Sequence, residues 1–391
     1  MLILYAAMKF DYGKPEQGYS FEHYNFHDSL LHMGHDILYF DFMTLLQSRG
    51  RDGMNRRLIE VAKAEKPGLM FTVLFTDELD RKAVRQITDD TDTVTINWFC
   101  DDHWRFDGYS RHWAGCFNWV VTTAASALPK YENAGIHNVI KSQWACNSFL
   151  YRKLPLPLVH DVSFVGQPHG NRREIIQAVR DAGIQVDAWG TGWPSGRLSQ
   201  ETMIRTFNQS RINLNLANAS VSGPASASPA PGALRRTLSR SLDRVPLGAG
   251  LKRAARRGME VLRASASGAR PPASAGPQAC AELDQIKGRN FEIPGSGGFL
   301  LTGRADDLEC YYEIGKEIVC FDGVDDLIGK LRHYLAHEQE RAAIARAGYE
   351  RTLREHTYTN RFRDILRRAG VAGAPAVPTA EARPGRTVDV T

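Results

Sequence analysis

Short apolar runs alternate with amphipathic stretches along the first 150 residues of the chain. The opening LILYAAM predicts a strand, and FHDSLLHMG, which ends in glycine, predicts a helix. HDILYFDF predicts a second strand, and residues 53–65 place Met54, Leu58 and Val61 on one helical face. Further strands are predicted in GLMFTVLF, DTVTINWFCDD and NWVVTTA. Strands and helices in alternation are typical of a parallel sheet that is covered on both faces.

The alternation starts again after a proline-rich stretch, LPLPLVHD, at 154–161. Strands are predicted in VSFVG, IQVDAWG, RINLNLA, GFLLT and KEIVCFD, with amphipathic helices between them. The pattern predicts an α/β fold of two doubly wound, Rossmann-like domains that face a cleft. We place the first domain at 1–153 and the second at 158–338, and we expect C-terminal helices at 339–370 to pack back across both.

One segment, 222–281, differs from the rest of the chain in composition. Its two ends, 222–234 and 264–281, are mostly Ala, Ser, Gly and Pro, which favours low complexity over a packed core. Between them, leucines spaced by four residues among arginines predict a basic amphipathic helical hairpin at 233–263. Ten basic and two acidic residues give the segment a charge of +8, while the whole chain carries +5. The folded body is therefore slightly acidic, which argues against a nucleic-acid-binding core.

Neither a signal peptide nor a membrane span is predicted. The apolar start has no basic region before it, and no run approaches the roughly 18 apolar residues that a span requires. The six cysteines are spread out without a CxxC pair, which indicates reduced thiols. We expect a cytoplasmic protein, with the basic hairpin 233–263 as a peripheral contact to the inner face of the membrane. The last residues, 371–391, lack a pattern and are predicted to be a disordered tail.

Two loops of the second domain follow predicted strands, where parallel sheets bind their ligands. The first runs from Gly166 to Arg172, and its backbone amides, helix N-terminus and arginine suit a phosphate; a plain turn with a solvated arginine is the alternative. The second contains Gly190, Gly192 and Trp193. Its glycines would let a flat ring approach the backbone and stack on Trp193, although a core tryptophan beside a tight turn explains the pattern equally well.

The third loop is KGRNFEIPGSGGFLLT. Glu292 offers two acceptor oxygens, which suit the two hydroxyl donors of a ribose. Lys287 and Arg289 would neutralise a diphosphate, and Gly297 and Gly298 would let phosphates lie on bare backbone amides. The alternative is that the glutamate caps a helix or pairs with the arginine internally.

This run, preceded by DVSFVG, AWGTGW and RINLNLA, resembles the C-terminal half of the CgeB-like spore-maturation family of GT-B glycosyltransferases. NWFCDDHWRF and YENAGIHNV follow the same family's order, and the resemblance covers nearly all of the chain except 222–281 and the tail. It implies a GT-B fold in which the second domain holds a nucleotide-sugar donor and Glu292 binds the donor ribose. Many retaining GT-B enzymes carry a second glutamate where this chain has Asp284, so the resemblance leaves the stereochemistry of transfer open.

Candidate acceptor chemistry falls in the first domain, at Asp101, Asp102 and His103. Adjacent carboxylates and an imidazole after a strand could tune one another as a catalytic base, or they could simply cap the strand as solvated charges. No DxD motif has the setting of a metal-dependent transferase. We therefore expect no metal site and no cofactor besides the nucleotide-diphosphosugar donor.

The prediction for function is a metal-independent glycosyltransferase that moves a sugar to a hydroxyl of a glycan, lipid-linked or protein acceptor, such as a cell-envelope polysaccharide. One alternative is a non-catalytic GT-B-like protein that binds a glycan or envelope component during assembly. A weaker alternative is a nucleotide-sugar epimerase, which would turn over the donor without an acceptor. The sequence names neither the sugar, the base, the acceptor nor the oligomeric state.

Overall fold

The computed structural model describes residues 1–216, 285–371 and 384–391, which contain two parallel β-sheets. The basic hairpin predicted at 233–263, the low-complexity stretches around it and Asp284 lie outside the described residues. Within the described part of the chain, no helix is long and apolar enough to cross a membrane.

The first sheet has seven parallel strands in the order β12-β2-β1-β3-β4-β5-β6. Strand β1 is paired on both sides, with β2 and β3, and the apolar side chains of these three strands are largely buried. The strands are β1 Leu2–Ala6, β2 Asp36–Phe40, β3 Leu69–Thr72, β4 Val94–Phe99, β5 Trp119–Thr122, β6 Val139–Lys141 and β12 Thr387–Asp389.

Helices connect these strands and cover the sheet. The long helix α2 begins after Asp41, whose side chain accepts a hydrogen bond from the Met43 amide, and Gly50 interrupts it with a positive φ of 67°. That interruption explains why the apolar spacing predicted a helix only from residue 53. The helices are α1 Asp28–His32, α2 Phe42–Glu65, α3 Arg81–Asp90, α4 Asp102–Arg105, α5 Arg111–Trp113 and α6 Leu128–Asn133.

The second sheet has five parallel strands in the order β11-β10-β9-β7-β8. The two sheets confirm the predicted fold of two α/β domains. The strands are β7 His160–Val165, β8 Val186–Trp189, β9 Ser210–Asn215, β10 Leu300–Gly303 and β11 Val319–Phe321. The described helices of this half are α7 Arg172–Asp181, α8 Gln200–Gln209, α9 Arg289–Gly295, α10 Gly323–Ala336, α11 Glu338–Glu355 and α12 Tyr358–Arg368.

The last helix, α12, returns to the first domain. Its buried side chains Tyr358 and Phe362 pack edge-on against the ring of Phe26, and Phe362 also meets Phe71 of β3. The first domain's core is therefore completed by residues from the other end of the chain.

The described part of the tail, 384–391, contradicts the prediction of disorder. Strand β12 pairs in parallel with β2, and the Ile37 amide donates to the Arg386 carbonyl at 2.7 Å. The side chains of β12 are exposed, with Val388 59% accessible, so its pairing depends on backbone hydrogen bonds. Backbone pairing at an edge leaves no apolar periodicity in the sequence, which is why the pattern did not predict this strand.

Candidate active site

Residues from both domains meet at the carboxyl ends of their strands, where the loops of the two sheets face each other. The Gln285 side chain donates to the Cys100 carbonyl at 3.4 Å, and Lys287 Nζ lies 3.9 Å from Asp101 Oδ1. A third contact, the ion pair between Arg197 and Asp11, joins the same two faces. These contacts define an interdomain cleft.

Glu292 lies in the first turn of α9 and is completely buried. Its Oε2 atom pairs with the Arg289 guanidinium, while Oε1 has no hydrogen-bond partner among the described residues. Tyr151 lies close by: burial and then the Glu292 charge raise the pKa of its hydroxyl well above the usual value. A buried carboxylate oxygen without a donor is unusual, and a ligand hydroxyl would satisfy it.

Two cations accompany this carboxylate. Burial alone would lower the pKa of Arg289, but Glu292 and Tyr151 raise it, so the guanidinium stays charged. Lys287 donates from Nζ to Gln285 Oε1 at 3.0 Å, on its own side of the cleft, and faces Asp101 across it. The structure therefore brings Lys287, Arg289 and Glu292 together, with Arg289 and Glu292 in the internal pair that was the alternative interpretation, and it places Asp101 opposite the lysine.

The glycines after α9 do not leave open space. A Cβ atom at Gly298 would lie 2.7 Å from Asn213 Nδ2, and one at Gly297 would lie 3.0 Å from the Lys153 side chain. Both positions are filled by protein atoms. Tight packing, rather than room for phosphates, therefore explains Gly297 and Gly298.

The loops after β7 and β8 pack against each other. A Cβ atom at Gly190, where φ is 142°, would collide with the Gly166 carbonyl oxygen, and one at Gly192 would lie 3.0 Å from the ring of Pro168. Trp193 is 9% exposed and donates from Nε1 to the Gly166 carbonyl at 2.8 Å. Arg173 covers its ring at 5.0 Å. These contacts favour the core alternative for Trp193 over stacking on a base.

Arg172 also binds loop backbone. Its guanidinium donates to the carbonyls of Gln167 at 2.9 Å and Leu216 at 2.6 Å. The arginine thus ties together the loops that follow β7 and β9, and it keeps a positive charge at these strand ends.

The three candidates for acceptor chemistry separate in the structure. Asp102 is completely buried and accepts hydrogen bonds from the hydroxyls of Ser110 and Tyr131, the latter at 2.8 Å. Burial raises the pKa of Asp102, but these donors enclose both of its oxygens. The enclosed position favours a structural anchor over a catalytic base. Asp101 faces the Lys287 side chain, and His103 lines a small cavity in which Gln285 also takes part.

Glu22 is a half-buried carboxylate on the helical stretch that follows β1, and the sequence reasoning missed it. It follows Ser20, whose hydroxyl accepts from the His23 amide at 3.0 Å and so caps the helical stretch 21–32. Burial raises the pKa of Glu22 to about 6; hydrogen bonds from its own amide and from Ser20 oppose this shift, and the Asp11 charge adds to it. The predicted helix began at Phe26, which placed Glu22 in a loop; starting it at the Ser20 cap would have revealed an acid at the first strand's carboxyl end.

Glu22 and Glu292 belong to helical segments whose starting turns abut. The neighbouring Phe21 ring would be 3.1 Å from a Cβ atom at Gly288, the residue before α9. The same Cβ atom would lie 3.2 Å from Glu292 Oε1. The two domains therefore approach each other closely where Phe21 meets Gly288, beside the Glu292 carboxylate.

The sequence profile of the glycosyl transferase-like family matches residues 172–231 and 269–367. No curated protein matches the chain by sequence.

Solved structures are similar over nearly the whole chain. Sucrose-phosphate synthase from Thermosynechococcus elongatus is 9% identical, with 95% of this chain and 100% of that one covered and a TM-score of 0.56. Anabaena HepE in complex with UDP-glucose is 10% identical, with 95% and 99% covered and a TM-score of 0.54. A Rickettsia africae glycosyltransferase is 9% identical, with 94% and 97% covered and a TM-score of 0.53. At these identities the likeness establishes the fold, which is GT-B.

Proposed function

We propose that this chain, a glycosyltransferase of the GT-B type, moves a sugar from a nucleotide-diphosphosugar donor to a hydroxyl of a glycan, lipid-linked or protein acceptor. The main observation in favour of a nucleotide-sugar donor is at Glu292. Its buried Oε1 atom lacks a hydrogen-bond donor among the described residues. The donor's ribose hydroxyls would supply the missing hydrogen bonds.

The cations beside Glu292 would stabilise the leaving nucleoside diphosphate. As the bond between the anomeric carbon and the diphosphate oxygen breaks, negative charge grows on that oxygen. Lys287 and Arg289 are both partly exposed at the cleft, with 32% and 27% of their side chains accessible. Their positive charges would neutralise the leaving diphosphate, as a divalent metal ion does in metal-dependent transferases. We therefore propose that transfer needs no metal. HepE, which has the same fold, binds UDP and UDP-glucose, so UDP-sugars are the first donors to test.

Glu22 is our proposed acceptor for the proton that the acceptor hydroxyl loses. A base is most effective when its pKa lies near the working pH, and burial brings the pKa of Glu22 to about 6. Asp101 is a second candidate, but its carboxylate faces the Lys287 ammonium at 3.9 Å.

The order of the sequence motifs supports the more specific proposal that this chain is a CgeB-like transferase. In that setting the enzyme would be cytoplasmic and would meet its acceptor at the inner face of the membrane. The basic hairpin at 233–263 would supply that contact. The alternative, a non-catalytic protein that binds a glycan or envelope component during assembly, depends on the same basic hairpin. The hairpin lies outside the described residues, and no described residue favours this alternative over catalysis.

Thermal-shift binding tests the donor site directly. Wild type, Glu292→Gln and the exposed control Glu313→Gln would be melted with UDP, GDP, TDP, CMP and their common sugars. We expect one nucleotide to stabilise wild type and Glu313→Gln by mass action, and to lose that effect in Glu292→Gln. If no nucleotide stabilises wild type, or if Glu292→Gln binds normally, the proposed donor site is refuted.

A further inference from the structure

Three metal-ligating side chains cluster on the helical stretch that follows β1. His23 and His27 lie one turn apart in a π-helical turn, His23–His27, in which the Asp28 amide donates to the His23 carbonyl. Their rings stack with centroids 4.6 Å apart, and Asp28 follows directly. Short π-helical turns are often found at functional sites.

His23 makes no side-chain hydrogen bond within the described residues. Its side chain is only 13% exposed, Nδ1 is buried without a partner, and Nε2 lies 3.8 Å from Asp28 Oδ1, which is too far for a hydrogen bond. Nε2, the ring nitrogen nearest the Asp28 carboxylate, is therefore the atom of His23 that a ligand could engage.

We infer that His23, His27 and Asp28 bind one divalent transition-metal ion of the zinc class. One ligand atom from each residue lies within 4.8 Å of the other two. Asp28 Oδ1 is 2.8 Å from His27 Nδ1 and 3.8 Å from His23 Nε2. Ligand atoms about 2.0–2.2 Å from a tetrahedral zinc are about 3.3–3.5 Å apart, so small side-chain movements would admit the ion. Two imidazoles and one carboxylate suit zinc or cobalt better than magnesium or calcium.

Side chains of strand β12 lie next to the proposed metal site and support it. His27 Nε2 lies 3.0 Å from Thr387 Oγ1, so a metal on Nδ1 would leave an Nε2–H that donates to this hydroxyl. Such outer hydrogen bonds orient metal-bound histidines in most sites. The nearby Lys9 ammonium, which would repel a cation, is paired with Asp389 of β12 at 2.6 Å. The ion would therefore fasten the C-terminal strand to the edge of the first sheet, and it takes no part in the proposed transfer reaction.

Titration of the full-length chain with metal tests the site. The protein would be stripped with EDTA, then titrated with Zn²⁺ alone by calorimetry and with Co²⁺ alone by visible absorption. We expect one equivalent of zinc and a tetrahedral cobalt spectrum, with affinity reduced by at least about tenfold in His23→Gln and in Asp28→Asn. Circular dichroism and nucleotide binding would verify that both variants fold.

His337→Gln is the matched control. His333 and His337 also stack one helical turn apart, at 4.1 Å, but they are not part of a three-ligand group in the described chain. This variant should bind zinc like wild type. A wild type without stoichiometric zinc would overturn the inference, as would unchanged binding in both His23→Gln and Asp28→Asn or an equal loss in His337→Gln.

Hydrogen exchange tests the link to β12. Zinc should slow exchange of the amides at 387–390 in wild type, but not in His23→Gln. Thr387→Val should weaken zinc binding by about tenfold, because it removes the hydroxyl that orients His27. If zinc binds but leaves exchange at 387–390 unchanged, its role in fastening the strand is refuted.

Discussion

Phe21 and Glu292, which come from different domains, meet across Gly288: a Cβ atom there would lie 3.1 Å from the phenyl ring and 3.2 Å from the carboxylate. The absence of a side chain at this position lets the two domains approach each other at the proposed reaction centre. The contact between Phe21 and the Glu292 side of the cleft therefore depends on one small residue.

Replacing Gly288 with alanine should disturb both stability and donor binding. The backbone φ of −51° accepts alanine, so the effect would come from crowding rather than from strain. We expect a loss of about 1–3 kcal/mol in the free energy of unfolding, as for other overpacked positions. Weaker nucleotide binding should accompany it, and both are measurable by denaturation and thermal shift.

Gly329→Ala is the control, because that glycine lies inside α10 with open space around it. It should stabilise the protein by about 0.5–1 kcal/mol and leave nucleotide binding unchanged. Equal behaviour of the two variants would contradict the crowding argument.

Glu22→Gln should slow transfer by about 10²–10⁴-fold while leaving donor affinity unchanged. The wild-type rate should rise with pH through about 6, because the base acts only when it is ionised. The variant should lose that limb of the pH profile. Glu16→Gln, an exposed change in the preceding loop, should behave like wild type. A Glu22→Gln enzyme with normal turnover would move the base to Asp101.

The same substitution should stabilise the fold. The folded-state pKa of about 6 lies above the usual 4.5, so the unfolded chain ionises Glu22 more readily. The contribution of protonated Glu22 to the stability of the fold is fully present below pH 4.5, and it is lost as the pH rises through about 6. Above pH 6, the free energy of unfolding of Glu22→Gln should therefore be about 2 kcal/mol higher than that of wild type. Urea denaturation at pH 4 and pH 7.5 would measure the difference, which should appear only at the higher pH.

Asp102→Ala should act on stability rather than on chemistry. It would leave the buried hydroxyls of Ser110 and Tyr131 without their acceptor, at a cost of about 1–3 kcal/mol. Turnover per folded molecule should stay close to wild type, and the exposed control Asp107→Ala should change neither quantity. A stable Asp102→Ala protein without activity would restore a catalytic role for this carboxylate.

Periodicity was sufficient for ten of the twelve described strands, because each of these buries a run of apolar side chains. It failed for β6, which has three residues and only one fully buried side chain, and for β12, which depends on backbone pairing. Short edge elements bury too little apolar surface to leave a pattern.

The candidate site was predictable in residue type but not in environment. Glu292 and its cations come together because they lie close in sequence, Arg289 and Glu292 on one short helix and Lys287 just before it. Asp101 and Asp102 look alike in the sequence, yet only tertiary packing encloses Asp102. Likewise, Gly298 resembles part of a phosphate loop, but its neighbour Asn213 comes from another strand, far away in the chain.

The return of α12 and β12 to the first domain sets the order in which the protein can be completed during synthesis. A ribosome finishes the first six strands early, but Phe26 and Phe71 gain their partner Phe362 only after the second domain has been synthesised. The described elements of the second domain up to α11 emerge before that point. Domains usually fold in the order of synthesis; here the domain that is translated first is the last to acquire its full core.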